Sequence, residues 1–542
     1  MVDSITTEVI RHSMLSAAQE MARNLCRTAY NTIVYEIHDY GIGLHDSDGN
    51  TIAEAPGIAI FSGANDFGIQ KTLEEMGTGD MFPGDVFMLN YPYWSAAHTL
   101  DVLVFCPIFA EEKLLGFASC RVHLLDLKQR DAGYVLDSTD MSQEGIFFPS
   151  VKLYERGKIR QDIFNIIRFN SRFPERTIGD LQAEVSAVHT GDVRMREIAE
   201  KYGVDVLVAA MEEISAHGER LSRAAVAKLP NGSWSALDYV DTDGVDLDEL
   251  IEMKVTVTIE DDRMIIDWTA TDKPANGPIN VPIGLTIAAS RLAFKSLTTP
   301  DTVICAGNFR NLEVRTTPGS LMHALPPMPT FTLWTGLLAP EVIMKALAQG
   351  LPDIVPACSG GDVCDVMALG VNPRNGAGWL EATNDAVGFG AHAGGDGEDG
   401  IMHVTEPGCR NNPIEVLENK APMIIDEYGY RPDSGGAGKN RGGVGVVVRG
   451  PQAPRGPAGA AAARRARRHN NSVKNTLLVD PGTEQEREVG CSYNNFGTGG
   501  TITNLTGGGG GWGNPFERDI EKVVADVEQG FVSAEAARRD YG

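Results

Sequence analysis

Apolar and polar residues alternate most clearly in two runs on either side of a short polar break. Residues 101–109 (DVLVFCPIF) and 114–123 (LLGFASCRVH) each read as a strand, and Glu111-Glu112-Lys113 separates them. A hairpin folded about Glu112 sets Asp101 opposite His123, so both side chains leave one face at its open end. His98, three residues before Asp101, falls at the mouth of the same ladder. Earlier in the chain, residues 5–30 place Ile10, Met14, Met21 and Leu25 on one helical stripe. Residues 34–44 read as a strand that contains Asp39, and residues 46–50 (DSDGN) as a turn into a returning strand. A helix over 67–76 and a strand over 84–89 follow. Helical periodicity runs from about 160 to 227, and β alternation returns over 228–270, clearest in MKVTVTIEDDRMIIDW. Helical stretches reappear at 281–297 and 336–349.

These elements predict an α+β, multidomain chain. Residues 1–230 form an N-terminal mixed α/β domain with the hairpin and a helical segment, and residues 231–542 a β-rich region, with a candidate further split near 330. That second half is rich in glycine: SGGD at 359, HAGGDGEDG at 392, DSGGAGKNRGGVG at 433 and TGGGGGWG at 506. Such loops either make tight turns or bring backbone N–H groups close to a ligand or partner, and in a β-rich region the turn is the preferred reading. Residues 435–439 do not make a phosphate-binding loop, because Lys439 is followed by Asn440 and Asp433 stands where the first glycine belongs. Residues 451–469 (PQAPRGPAGAAAARRARRH) differ from both flanks in being almost entirely Ala, Arg, Pro and Gly. A local reading-frame error in GC-rich DNA would produce that vocabulary, and tryptic peptides from the stretch would dispose of the idea.

Composition narrows the class. Hydrophobic residues at 42% and charged residues at 22% suit a globular chain with a substantial core. A net charge of −26 sets the chain against nucleic acid and anionic membrane as general partners. Eight cysteines without C-x-x-C spacing suit free thiols in a reducing compartment. The N-terminus lacks the pattern of a signal peptide, and no apolar run reaches the roughly 18 residues of a membrane span, so a cytoplasmic chain is expected.

The chemistry concentrates at the hairpin mouth. Neutral imidazole and carboxylate oxygen together suit Mn²⁺, Fe²⁺ or Zn²⁺ better than Ca²⁺, which prefers oxygen alone. His98, Asp101 and His123 are therefore candidate ligands of a divalent ion with open positions, as Lewis-acid catalysis requires. Arg121 and Asp126 flank His123 as candidates for orienting it, and the three form the candidate catalytic set. His38 and His45 fall at strand or turn positions that suit solvent, and structural roles are expected of His392 and His403.

Several stretches together resemble the hydantoinase B family. These include GDVFMLNYPY at 84–93, AHTLDVLVFCPIF at 97–109, RVHLLD at 121–126 and QEGIFFPSVKLYERG at 143–157. GPIN at 277–280, PGSLMHALPPMP at 318–329, NNPIEVLE at 411–418, RPDSGGAGKNRGG at 431–443 and GGGWGNPFERD at 509–519 extend the likeness nearly end to end. That family includes B-type subunits of ATP-dependent hydantoinases, the corresponding part of 5-oxoprolinase, and large subunits of acetone and acetophenone carboxylases. The resemblance adds Asp39 to His98, Asp101 and His123 as a fourth metal ligand. It also implies a separate A-type, ATP-binding partner subunit, with small accessory subunits as further candidates, and a ketone or cyclic amide as substrate. Departures lie at Asn90-Tyr91-Pro92, where many hydantoinase-type members read Asn-Asp-Pro, and at His123-Leu124 and Lys128-Gln129, where they carry a double His and Gly-Gly. With Tyr91 and Trp94 able to flank an aromatic ring, these departures favour an ATP-dependent ketone carboxylase that fixes bicarbonate onto an activated enolate. A B-type component of a cyclic-amide hydrolase comes second, and a non-catalytic scaffold subunit third.

Overall fold

The stripe at Ile10, Met14, Met21 and Leu25 folds as one face of α1 (Ser4–Thr28), capped by the Asp3 carboxylate and fully buried at those four positions. A computed structural model describes residues 2–271, 273–361, 364–450, 460–463, 475–489, 492–495 and 500–542. After α1 come α2 (Thr32–Tyr35), β1 (Tyr40–Asp46), β2 (Thr51–Ala55), α3 (Ala59–Met76), β3 (Val86–Leu89), α4 (Pro92–Ser95), β4 (Asp101–Ala110) and β5 (Lys113–His123). Then follow β6 (Val151–Glu155), β7 (Lys158–Ile159), α5 (Gln161–Asn170), α6 (Pro174–Tyr202) and α7 (Val204–Val226). A meander of β8 (Gly232–Val240), β9 (Ile251–Glu260) and β10 (Arg263–Asp267) precedes α8 (Ile283–Thr298) and β11 (Leu312–Arg315). These strands form a four-stranded sheet in the order β11-β10-β9-β8. The expected strand over 34–44 begins only at Tyr40: Val34 lies in α2, and His38 takes a left-handed φ of 64° that interrupts an extended run.

The chain divides into two compact units, one of Met1–Ser233 with Thr256–Gly336, the other of Trp234–Val255 with Leu337–Gly542. The first is built on a seven-stranded antiparallel sheet in the order β2-β1-β5-β4-β3-β6-β7. Strand alternation divides its residues between two faces. Ile42, Val102, Val104, Ala118, Cys120 and Val122 join the core formed with α1 and α6. Leu103, Phe105 and Phe117 join a smaller core with Ile69 of α3. Gly41 lets α3 approach closely, since a Cβ there would meet Phe61 Cβ at 2.8 Å. Asp101, Arg121 and His123 belong to this α3 face by alternation.

After its stretch 234–255, the second unit resumes within α9 (Trp334–Leu347) and continues through β12 (Cys364–Val371), β13 (Gly378–Asp385), α10 (Ile414–Lys420), β14 (Glu427–Tyr430), β15 (Val446–Arg449) and β16 (Ala460–Ala463). It ends with β17 (Thr476–Val479), β18 (Arg487–Val489), β19 (Ser492–Asn495), β20 (Ile502–Leu505), α11 (Ile520–Glu528) and α12 (Ala534–Asp540). Two sheets, β13-β12-β16-β19 and β14-β15-β20-β17-β18, carry it. Its glycine-rich loops are packed backbone against backbone. Gly388 donates to Gly507 O at 3.0 Å, Gly509 to Gly443 O at 2.8 Å, and Gly443 to Phe389 O at 2.8 Å. A Cβ on Gly388, Gly443 or Gly509 would come within 1.9 Å of a carbonyl oxygen on a neighbouring loop. Contact between loops, not positive φ, explains these glycines. Apart from β16, the unusual stretch 451–469 lies outside the described residues.

Candidate metal centre

Asp101 opens β4, His123 closes β5, and the two are direct register partners. His123 Nδ1 hydrogen-bonds to Asp101 Oδ1 at 3.1 Å. His98 sits in the loop between α4 and β4, where a tight turn donates Asp101 N–H to the His98 carbonyl at 3.0 Å. The Leu100 N–H donates to His98 Nδ1 at 3.2 Å, which turns Nε2 toward Asp101 Oδ2, 3.4 Å away. One donor atom from each of the three residues lies within 4.8 Å of the others, and all three are buried. Among the described residues no other group of three His, Cys, Asp or Glu side chains is so arranged.

The electrostatics fit a cation. Burial pushes the Asp101 carboxyl well above its usual range, opposed by the nearby Arg121 guanidinium. Burial also lowers both imidazoles, His98 well below its usual value, with the neighbouring His123 and Arg121 adding to that fall. Asp101 Oδ2 is buried and accepts no hydrogen bond. Neutral imidazoles can ligate, and a divalent ion would supply both the charge and the partner that Oδ2 lacks. Ligation through His98 Nε2 would place the ring proton on Nδ1 and give up the Leu100 contact.

The other candidates are placed as follows. Asp39 lies just before β1, where its carbonyl accepts from His123 N at 3.4 Å. Its charge favours the protonated form of His123, but its carboxylate is not one of the three clustered groups. Arg121, fully buried on the same face as His123, bonds to Asn65 and Ser95. Asp126 binds Arg172 through that residue's backbone N–H and its guanidinium, the latter at 2.5 Å, and so anchors the turn between α5 and α6. His45 is buried, contrary to the solvent position expected of it, with Nε2 2.8 Å from Ser119 Oγ. His403 is buried beside Thr405 and Glu341, and His392 is exposed.

Residues that periodicity does not reveal complete the surroundings. The Phe331 ring stacks on His98 with centroids 5.0 Å apart and planes 8° apart. Tyr134 reaches His98, His123 and Phe331 at centroid distances of 6.2, 5.9 and 5.9 Å. Glu144, fully buried, accepts from Ser138 Oγ at 2.8 Å and from the Thr330 and Phe331 N–H groups at 2.8 and 3.2 Å, which fixes the segment carrying Phe331. Asn90 Nδ2 donates to Thr99 O and Ile146 O, both at 2.9 Å, and steadies the His98 loop. Glu144 and Asn90 lie within the family-like stretches, and that was their one signal in the sequence. Tyr91 packs edge-on against Tyr93, Trp94 and Phe147, and with Trp94 lies against the Phe87–Phe105 core.

Comparison with known proteins agrees with this architecture. The hydantoinase B/oxoprolinase family model matches residues 3–515. The B-type component of a putative D-/L-hydantoinase of Pseudomonas sp. (strain NS671) is 31% identical, with 100% of this chain and 95% of that protein covered. The crystal structure of ATP-dependent caprolactamase from Pseudomonas jessenii superposes with a TM-score of 0.92 at 26% identity, covering 100% of this chain and 96% of the other. A nucleotide-free acetone carboxylase structure superposes with a TM-score of 0.89 at 16% identity, over 99% of this chain and 79% of that one, and shares the fold. On the match of nearly its whole length, the chain belongs to the hydantoinase B/oxoprolinase family.

Proposed function

We propose that this chain is the metal-bearing subunit of an ATP-dependent enzyme that opens a cyclic amide. The buried cluster of His98, Asp101 and His123, in a chain similar end to end to an ATP-dependent caprolactamase, carries the reading. These three residues would hold Mn²⁺, Fe²⁺ or Zn²⁺, with Asp39 the further carboxylate beside His123. When bound, the ion polarises a carbonyl or lowers the pKa of water. Asp101 orients His123 through Nδ1, while Phe331 and Tyr134 cover the imidazoles with apolar surface and limit the access of bulk water. Arg121 contributes a fixed positive charge on the Asp101 side.

ATP is assigned to a separate A-type subunit, in keeping with a sequence that offers no phosphate-binding loop. There the amide oxygen attacks the γ-phosphorus and ADP leaves. Water then adds to the activated carbon and the C–N bond breaks, releasing the ring amine and leaving an acyl phosphate, which a second water cleaves to the carboxylate and inorganic phosphate. A ketone carboxylase is the second reading, favoured by Tyr91 in place of the Asp found in many hydantoinase-type members. Because Tyr91 and Trp94 pack against each other and against the Phe87–Phe105 core, they give less weight to an aromatic ketone than their sequence positions did.

The test pairs the purified chain with its ATP-binding partner and ATP. One series adds cyclic amides, hydantoin and caprolactam among them, and the other adds ketones with labelled bicarbonate. Ring opening coupled to ADP release is expected. Label fixed into a carboxylate, with no amide consumed, would replace this reading with the carboxylase. Neither activity, with no ion retained, would leave a scaffold subunit.

A further inference from the structure

We propose that Asn65 and Ser95 are positioning residues for the metal centre, acting through Arg121, which they lock in the core beside Asp101. The inference rests on the metal-centre reading above. Asp101 faces His123, and Arg121, two residues back on the same strand face, is the diagonal neighbour of Asp101 across the hairpin. Arg121 is fully buried, so its guanidinium must be held by geometry that satisfies its donors. Nε donates to Asn65 Oδ1 at 2.9 Å, Nη1 to Ser95 Oγ at 3.2 Å, and Nη2 to the Ser95 carbonyl at 2.6 Å. Phe61 lies against the guanidinium, its centroid 5.8 Å from Cζ.

These bonds join three elements that carry or flank the ligands. Asn65 is on α3, Ser95 ends α4 three residues before His98, and Arg121 is on β5 two residues before His123. Asn65 is itself fixed: its Nδ2 donates to the Gly41 carbonyl at 3.1 Å and to Ser119 Oγ at 3.4 Å. Ser119 Oγ in turn lies 2.8 Å from His45 Nε2. A polar ladder therefore runs along the α3 face of β1 and β5 and ends at Arg121. Its consequence is a cation of fixed position that favours the Asp101 carboxylate and tethers the His98 loop to the strand bearing His123.

The test uses the full chain stripped of metal, titrated with Mn²⁺ or Zn²⁺ against a competing chelator, with circular dichroism as the check on folding. Asn65→Leu keeps the branched shape, though not the volume, and removes both the acceptor and the donors. Its affinity for the ion is expected to fall about 10- to 100-fold, as for other residues that support metal ligands. Asn65→Asp keeps an acceptor for Nε and is expected to recover most of that loss. Arg121→Lys keeps the charge but cannot reach Asn65 and Ser95 together, and should lose affinity to a similar extent. If Asn65→Leu does not fold, Arg121→Lys and Ser95→Ala carry the test. Folded variants that bind the ion as tightly as wild type overturn the positioning role. A wild-type chain that binds neither ion instead overturns the metal centre beneath it.

Discussion

His123 joins the end of β5 to the carboxylate that opens β4, so its removal is the most direct probe of the centre. His123→Ala should bring metal content, measured by plasma emission, from near stoichiometric to background and abolish turnover while the chain stays folded. Loss of the Nδ1 bond leaves Asp101 with less compensation, at a cost of about 1–3 kcal/mol. Full activity in that variant would remove the site from consideration. Glu144 offers a second probe, through pH. Burial raises its carboxyl from 4.5 to about 8, outweighing the bonds from Ser138, Thr330 and Phe331 that act to lower it. Between those values the folded chain keeps a proton that the unfolded chain has released. Its contribution to stability is therefore complete below about 4.5 and lost as pH rises to about 8. Glu144→Gln cannot ionise, so its denaturation midpoint should fall less than that of wild type between about pH 5 and about pH 8. Equal slopes would assign the dependence to other groups. His98, Asp101 and His123 were legible because strand register places two of them and a short loop the third. Phe331, brought to His98 by packing across more than half of the first unit's sequence, left no local trace.

At the scale of elements, the β4–β5 hairpin shows how far alternation reaches. Asp101↔His123, Val104↔Cys120 and Ile108↔Gly116 follow the register read from the sequence, and near the turn a bulge shifts it to Phe109↔Leu114. Glu111 and Glu112 make that turn with φ of 50° and 63°, values their residue types do not advertise. Asp39 shows the opposite outcome, because the left-handed residue His38 ends the extended run that its apolar neighbours suggested. The glycine-rich loops were legible as composition but not as contact. Turns explain a few of them, such as Gly361 and Gly400, whereas Gly443 and Gly509 face carbonyl oxygens that leave no room for Cβ. Gly443→Ala and Gly509→Ala should each cost about 3 kcal/mol or more, read as a lowered urea midpoint. Gly429→Ala, on β14 with open space at its Cβ position, should shift stability by less than about 1 kcal/mol. Tolerance of alanine at Gly443 and Gly509 would show that the loops can separate without penalty.

Across the whole molecule, family-like stretches spread from residue 84 to residue 519 identified the chain, while the course of the backbone between its units did not show in them. Residues 256–336 return to the first unit after the excursion through 234–255, so the loop bearing Phe331 belongs with the hairpin it covers. No contiguous pattern announces such a return, since it depends on which strands pair. All candidate ligands lie in that first unit, and this gives metal binding a regional signature. An ion held at about 100 times its dissociation constant stabilises the folded state by about 2.7 kcal/mol, provided that it binds the unfolded chain negligibly. The thermal midpoint should rise on metal addition, fall with chelator, and stay unmoved by either in His123→Ala. Hydrogen–deuterium exchange should locate the gain in peptides spanning 98–104 and 117–124, where the ion ties the ends of β4 and β5, with little change over 442–448 or 502–510. Because these two readings depend on different properties, one global and one local, they constrain the site jointly. A midpoint shift that survives in His123→Ala, with protection appearing among the glycine-rich loops, would move the ion to the other unit and take the proposed chemistry away from the hairpin.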